Sequence, residues 1–194
     1  MVHLEDNMNI NEDIECYSYL VDALGYASED NSEQLSILLE PMFKANTSEL
    51  EACLIYQKAM LINSNKKFCI NNHEKEYEKL LKLSAKGKCK EGQYLVANRL
   101  YEKKHYQEAT QLYKESALQG YAPSQWCYGI DLFRGIEGAL KRNEVLGLKY
   151  IQYSAGQLYE YAVEFLVESY TNGNGIIVKN KEKSEYYSRM LDWL

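Results

Sequence analysis

Proline is nearly missing from this sequence of 194 residues, which has two, and glycine is held to eleven. A chain so poor in both has no room for a long linker or a low-complexity tract. The five cysteines, Cys16, Cys53, Cys69, Cys89 and Cys127, form no CxxC pair, and their odd number rules against a disulfide framework. Scattered thiols read instead as small buried apolar residues in a reducing compartment. No apolar run is long enough to cross a bilayer, and the start, MVHLEDNMNINEDIE, has neither the basic nor the apolar region of a secretory leader. A soluble, cytoplasmic protein is expected, with no membrane partner.

Chemistry-bearing motifs are missing as well. His3, His73 and His105 are isolated, and none is spaced from another as metal ligands are. There is no GxxxxGK phosphate loop, no GxSxG elbow and no GxGxxG fingerprint. The GNGIIV stretch at Gly173 follows a helical pattern and not a strand, so its glycines serve a turn. Asn46-Thr47-Ser48 fits a glycosylation acceptor, a coincidence in a chain without a leader. No enzyme activity, catalytic residue, cofactor or metal is expected.

A surplus of positive charge is also lacking, since the formal net charge is -6. Phosphate binding rests on Lys and Arg, so nucleic acid is not an expected partner. Residues 1–60 carry 12 acidic and 2 basic side chains, while residues 61–110 carry 6 acidic and 11 basic ones. An acidic N-terminal third therefore precedes a basic middle. Within that middle, Lys75, Lys79, Lys82 and Lys86 form one helical stripe, interleaved with Glu74, Glu76 and Glu78 as on a solvated face.

What the chain does have is helical periodicity. Ile14, Tyr17, Leu20, Val21 and Leu24 mark a helix over Asp13–Tyr26, and Asp30 with Glu33 caps a second through Leu39, ended by Pro41. Asn46 caps a third through Met60, NSNKKFCINN reads as a loop, and Asn71 caps a fourth over His73–Ala85 with Tyr77, Leu80, Leu81 and Ser84 inward.

From there a repeat is legible. Small pairs recur at Ser84-Ala85, Ser116-Ala117 and Ser154-Ala155. Seven residues after each alanine stand Gly92, Ser124 and Ala162; four further on, Val96, Tyr128 and Leu166; then Leu100, Leu132 and Tyr170; then Lys103, Gly135 and Gly173. Four and eight residues before the alanines stand Leu81, Tyr113 and Ile151, and Tyr77, Ala109 and Gly147. Lys183, Tyr187 and Leu191 extend the phase into a closing half-repeat. Repeat lengths are 32, 38 and 36 residues, with the variation between the two helices of each repeat. Small residues let backbones approach while leucines and tyrosines fill the grooves, Gly120 and Gly156 suit left-handed helix ends, and Pro123 suits a first turn.

This register resembles the Sel-like repeat (SLR) family, a branch of the tetratricopeptide-like α-solenoids. Ala162, Leu166, Tyr170, Gly173, Gly175 and Val178 match its A-x3-L-x3-Y-x2-G-x-G-x2-V pattern, with one residue more than the usual G-x-G-V. The middle copy keeps Gly135 and continues IEGALKRN, and the first has KKHYQ. The resemblance implies an all-α, right-handed α-solenoid of antiparallel helix pairs, about ten helices in all. Residues 72–194 would form about three repeats and a closing helix, continuous with an acidic helical region at 1–71. Ala45, Ala52, Tyr56 and Met60 there fall in the same phase as one degenerate repeat.

In such solenoids the first helix of each repeat lines a concave groove. The register puts Tyr94, Asn98 and Tyr101, then Trp126, Ile130, Phe133 and Arg134, then Glu164 and Glu168 on that face. Aromatic residues and arginine are favoured at binding hot spots. For Trp126 and Phe133 a second placement stays open, packed on a neighbouring repeat. The resemblance implies a protein-binding module, since the family comprises adaptors and, in bacteria, immunity proteins that block secreted toxins. With its acidic N-terminal third, this chain would suit a cytoplasmic inhibitor of a basic toxin or effector. A general adaptor is the alternative, and a helical enzyme using Glu164, Glu168 and Tyr170 is the rival class.

Overall fold

A computed structural model describes residues 73–194 and seven helical positions at 52, 53, 55–57, 59 and 60. The helices expected over Asp13–Tyr26 and through Leu39, the break at Pro41, the caps at Asn46 and Asn71 and the NSNKKFCINN loop lie outside the described residues. So do His3, Cys16 and Cys69. By compactness the chain divides into Met1–Gly87 and Lys88–Leu194. Eight helices are described against about ten expected, with no strand among the described residues beyond two isolated bridges.

In the first unit, Ala52, Ile55 and Ala59 are buried on one helix. Helix α1 spans His73–Lys86 and buries Tyr77, Leu80, Leu81 and Ser84, the inward set its periodicity predicts, together with Ala85. Lys75, Lys79, Lys82 and Lys86 are all exposed.

The second unit is a run of helix pairs: α2 (Lys90–Glu102) with α3 (Tyr106–Leu118), α4 (Ala122–Arg134) with α5 (Glu144–Ala155), and α6 (Glu160–Asn172) with α7 (Lys181–Leu191). Each helix packs on the next in sequence. Expected packing positions form two cores, one around Ala109, Tyr113, Ala117, Tyr128 and Leu132, the other around Ile151, Ala155, Ala162, Leu166 and Tyr170; in the first copy Ala97 is buried in the core while the expected Val96 is half-buried. The serines of the second and third small pairs do more than stay small, whereas Ser84 Oγ donates to the Leu81 carbonyl of its own helix. Ser116 Oγ donates to the Lys90 carbonyl at 2.8 Å, and Ser154 Oγ donates to the Ala122 carbonyl at 2.7 Å. A second rung repeats beside it, Gln119 Nε2 to Gln93 Oε1 and Gln157 Nε2 to Gln125 Oε1, both at 2.7 Å. Buried polar groups are thus paired at equivalent places in successive repeats.

The closest approach lies between α4 and α5. A Cβ on Gly147 would stand 2.6 Å from the Gly129 carbonyl oxygen and 2.6 Å from the Phe133 nitrogen, both backbone atoms. The repeat turns share a left-handed residue three positions after each alanine: Lys88 (φ 67°), Gly120 (φ 82°) and Leu158 (φ 60°). Gly120 therefore acts as expected, but Gly156 does not. It is right-handed at φ -62°, and Leu158 carries the turn two residues later.

The longer connections after α4 and α6 are built alike. Gly135 and Gly173 leave the helices, and bridges Ile136–Leu140 and Asn174–Ile177 close the loops. Asn143 and Asn180 then cap α5 and α7 through their side chains. The inward apolar residue of the last motif is not Val178. Ile177 is 3% exposed and plugs the core, while Val178 is 78% exposed, so the apolar residue of the motif is the one that directly follows Gly-x-Gly-Ile.

Gly147→Ala should lower stability by about 2 kcal/mol or more, because backbone cannot yield as a side chain does; a chemical denaturation midpoint unchanged from wild type would contradict the packing. Leu158→Gly should raise stability by about 0.5–1 kcal/mol, the left-handed strain of a side chain less the entropy glycine brings to the unfolded chain.

Candidate partner-binding groove

The residues expected on one face come from the first helices of the three pairs, α2, α4 and α6. Tyr94 of α2 is half-buried, edge-on to Tyr121 at 5.5 Å between centroids, and the Tyr159 hydroxyl at the start of α6 lies in hydrogen-bonding reach of it. Tyrosines thus span from the first of these helices to the third. Asn98 Oδ1 accepts from the Tyr113 hydroxyl at 2.7 Å, and Tyr101, 36% exposed, lies edge-on to Tyr106 at 4.9 Å. On α4, Trp126 and Ile130 are half-buried against the second core, with Trp126 edge-on to Phe165 of α6. Arg134, Glu164 and Glu168 are exposed.

Phe133 is withdrawn from this set. It is 4% exposed and packs edge-on to Phe165 at 5.6 Å, the second of its two open placements, because Gly147 brings α5 against its backbone. Tyr170 is also core, 5% exposed and stacked on Tyr187. Glu164 and Glu168, by contrast, are exposed.

Asp131 was not foreseen. It sits on α4 fourteen residues after Ala117, where the neighbouring copies have Arg99 and Ser169, and is 6% exposed. The Tyr101 hydroxyl donates to its Oδ1 at a long 3.4 Å, and its Oδ2 has no hydrogen-bond partner. Burial pushes its carboxyl up to about 7, against smaller opposing pulls from the Tyr101 hydroxyl and the Arg134 charge. Beside it, burial and the Asp131 charge push the Cys127 thiol up to about 12, and burial raises the Tyr101 and Tyr113 hydroxyls. A carboxyl able to exchange a proton near neutrality is therefore ringed by groups that stay protonated. The sequence signal was the polar residue inside YGIDLF, next to the packing position Leu132.

No protein-family model matches the sequence, and no curated protein is a significant relative. Solved structures do match. A Sel1 repeat protein from Oxalobacter formigenes superposes with a TM-score of 0.74 at 14% identity, over 92% of this chain and 73% of its own. The described pairs have the Sel-like repeat fold. A protective antigen of uropathogenic Escherichia coli displaying an SLR fold matches with a TM-score of 0.61 at 20% identity, over 73% of this chain. This chain spans 31% of that antigen's length.

Asp131 binds its proton more tightly in the folded state than in the unfolded chain, so its contribution falls as pH rises from about 4 to about 7 and is level above. Asp131→Asn should therefore raise stability at pH 8 by on the order of 1–3 kcal/mol and change it little at pH 4. Equal effects at both pH values in thermal unfolding would contradict the buried, ionisable placement.

Proposed function

We propose that this chain is a non-enzymatic binding protein that captures a basic toxin or effector protein in the α2–α4–α6 groove and neutralises it in the cytoplasm. The observation that carries the reading is the groove's composition. Half-buried Tyr94, Trp126 and Ile130 and exposed Tyr101 supply rigid contact area, and Glu164 and Glu168 flank them with negative charge. Aromatic anchors rimmed by charge are what protein interfaces are built from. The acidic first sixty residues would add long-range steering of a basic partner. Cys127 is in no disulfide, as a reducing compartment allows. Among the described residues, no helix is long and apolar enough to cross a membrane.

The test is affinity purification of the chain from its native cell, followed by co-expression of the captured protein. A one-to-one complex with a basic protein that is harmful when expressed alone and harmless together is the expected outcome. A harmless partner would make the chain an adaptor, and no captured protein would remove the reading. Trp126→Ala should weaken that complex about tenfold or more per folded molecule, as loss of a central aromatic anchor does. Undiminished affinity, measured by titration calorimetry on the folded fraction, would place Trp126 outside the interface.

A further inference from the structure

We propose that Asp131 and the tyrosines around it form a socket for one cationic side chain, a lysine or arginine of the bound partner. The inference rests on the groove reading above and assigns its recognition chemistry.

Asp131 is an acceptor-rich group with too few donors. Ionised, its carboxylate can accept several hydrogen bonds, yet one oxygen has only the long Tyr101 bond and the other has none. The groups facing it from each packed element do not neutralise it. Tyr101 of α2 and Tyr113 of α3 are phenols, with Tyr106 of α3 packed behind Tyr101, and Cys127 of α4 is a thiol held protonated. Arg134, on the same helix, acts on it without forming an ion pair. A buried acceptor left unmatched is costly, and an incoming N–H donor with positive charge offsets that cost.

The surroundings select a cation over a neutral donor. Tyr101 meets Tyr106 edge-on at 4.9 Å between centroids and lies tilted to Tyr113 at 6.2 Å, so three phenol rings cluster around the side chain that bonds the carboxylate. Ring faces attract ammonium and guanidinium groups. Tyr101 is the exposed member of the cluster, and its long bond to Asp131 is the one an entering side chain would replace. Exposed Glu164 and Glu168, four residues apart on α6, add negative charge of the same sign along the groove.

The probe is N-acetyl-lysine methylamide, with the arginine derivative beside it and the uncharged norleucine derivative as control, titrated into the full chain at pH 7.5. Tyr101 and Tyr106 ring resonances and the Asp131 carboxyl carbon are followed by NMR. Saturable shifts at about 1–10 mM are expected for the charged probes. With lysine bound, the Asp131 titration midpoint should fall by about one unit or more. Asp131→Asn should abolish the binding, and Tyr101→Phe, which keeps the carboxylate, should retain it. Equal shifts with norleucine, binding that survives in Asp131→Asn, or no saturable shift would each overturn the socket. The experiment needs no partner. A socket that takes lysine in a chain that captures nothing would stand while the partner reading fell, and a captured partner indifferent to Asp131 would do the reverse.

Discussion

Neighbouring helices in this protein can lie where they do only because their backbones meet at positions without bulky side chains. Gly147 and Gly129 bring α5 onto α4 so closely that a single added carbon would touch main-chain atoms. Ala117, Ala155 and Ala162 serve the same end elsewhere. Close approach excludes water, and excluding water obliges the buried serine hydroxyls and glutamine amides to find partners within the protein. The first-turn carbonyls of Lys90 and Ala122 and the facing glutamines supply them. Packing and hydrogen bonding are thus two consequences of one spacing, repeated from pair to pair.

The proposed groove inherits its character from that spacing. Once α5 is against α4, Phe133 has nowhere to go but the core, and Trp126 and Ile130 are left half-covered at the edge facing α6. The same geometry carries Asp131 under Tyr101, where desolvation raises its pKa to about 7. A mid-helix carboxylate buried without a full set of donors destabilises the free protein near neutral pH and has no packing role to justify it. Local rules of stability being broken at a groove is the pattern expected where a surface is shaped for something other than folding.

The repeat register was legible because small residues at fixed offsets are the direct imprint of backbone proximity. Ala117, Ser124, Tyr128 and Leu132 all take the packing roles their spacing implies. Other features left no such imprint. Gly156 looked like a left-handed cap, but the turn geometry counts three residues from the alanine and falls on Leu158, whose side chain gives no sign of the strain. Val178 matched a motif with one residue added, yet the bridge from Asn174 to Ile177 turns Ile177 inward and Val178 out. Asp131 was hidden because one polar residue in an apolar run is ambiguous until its neighbours from other helices, Tyr101 and Tyr113, are in place. For the nine groove positions, register assigns a face, while depth depends on what the adjoining helix brings against it.

Hydroxyl-radical footprinting of the chain alone and with its captured partner tests the central claim most directly, since side-chain oxidation reads exposure residue by residue. Tyr101 and Trp126 on α2 and α4 should be protected in the complex, while Tyr153 on α5 and Tyr186 on α7, 50% and 54% exposed, should oxidise as before. Protection of Tyr153 or Tyr186 with Tyr101 and Trp126 unchanged would contradict the groove as the binding face.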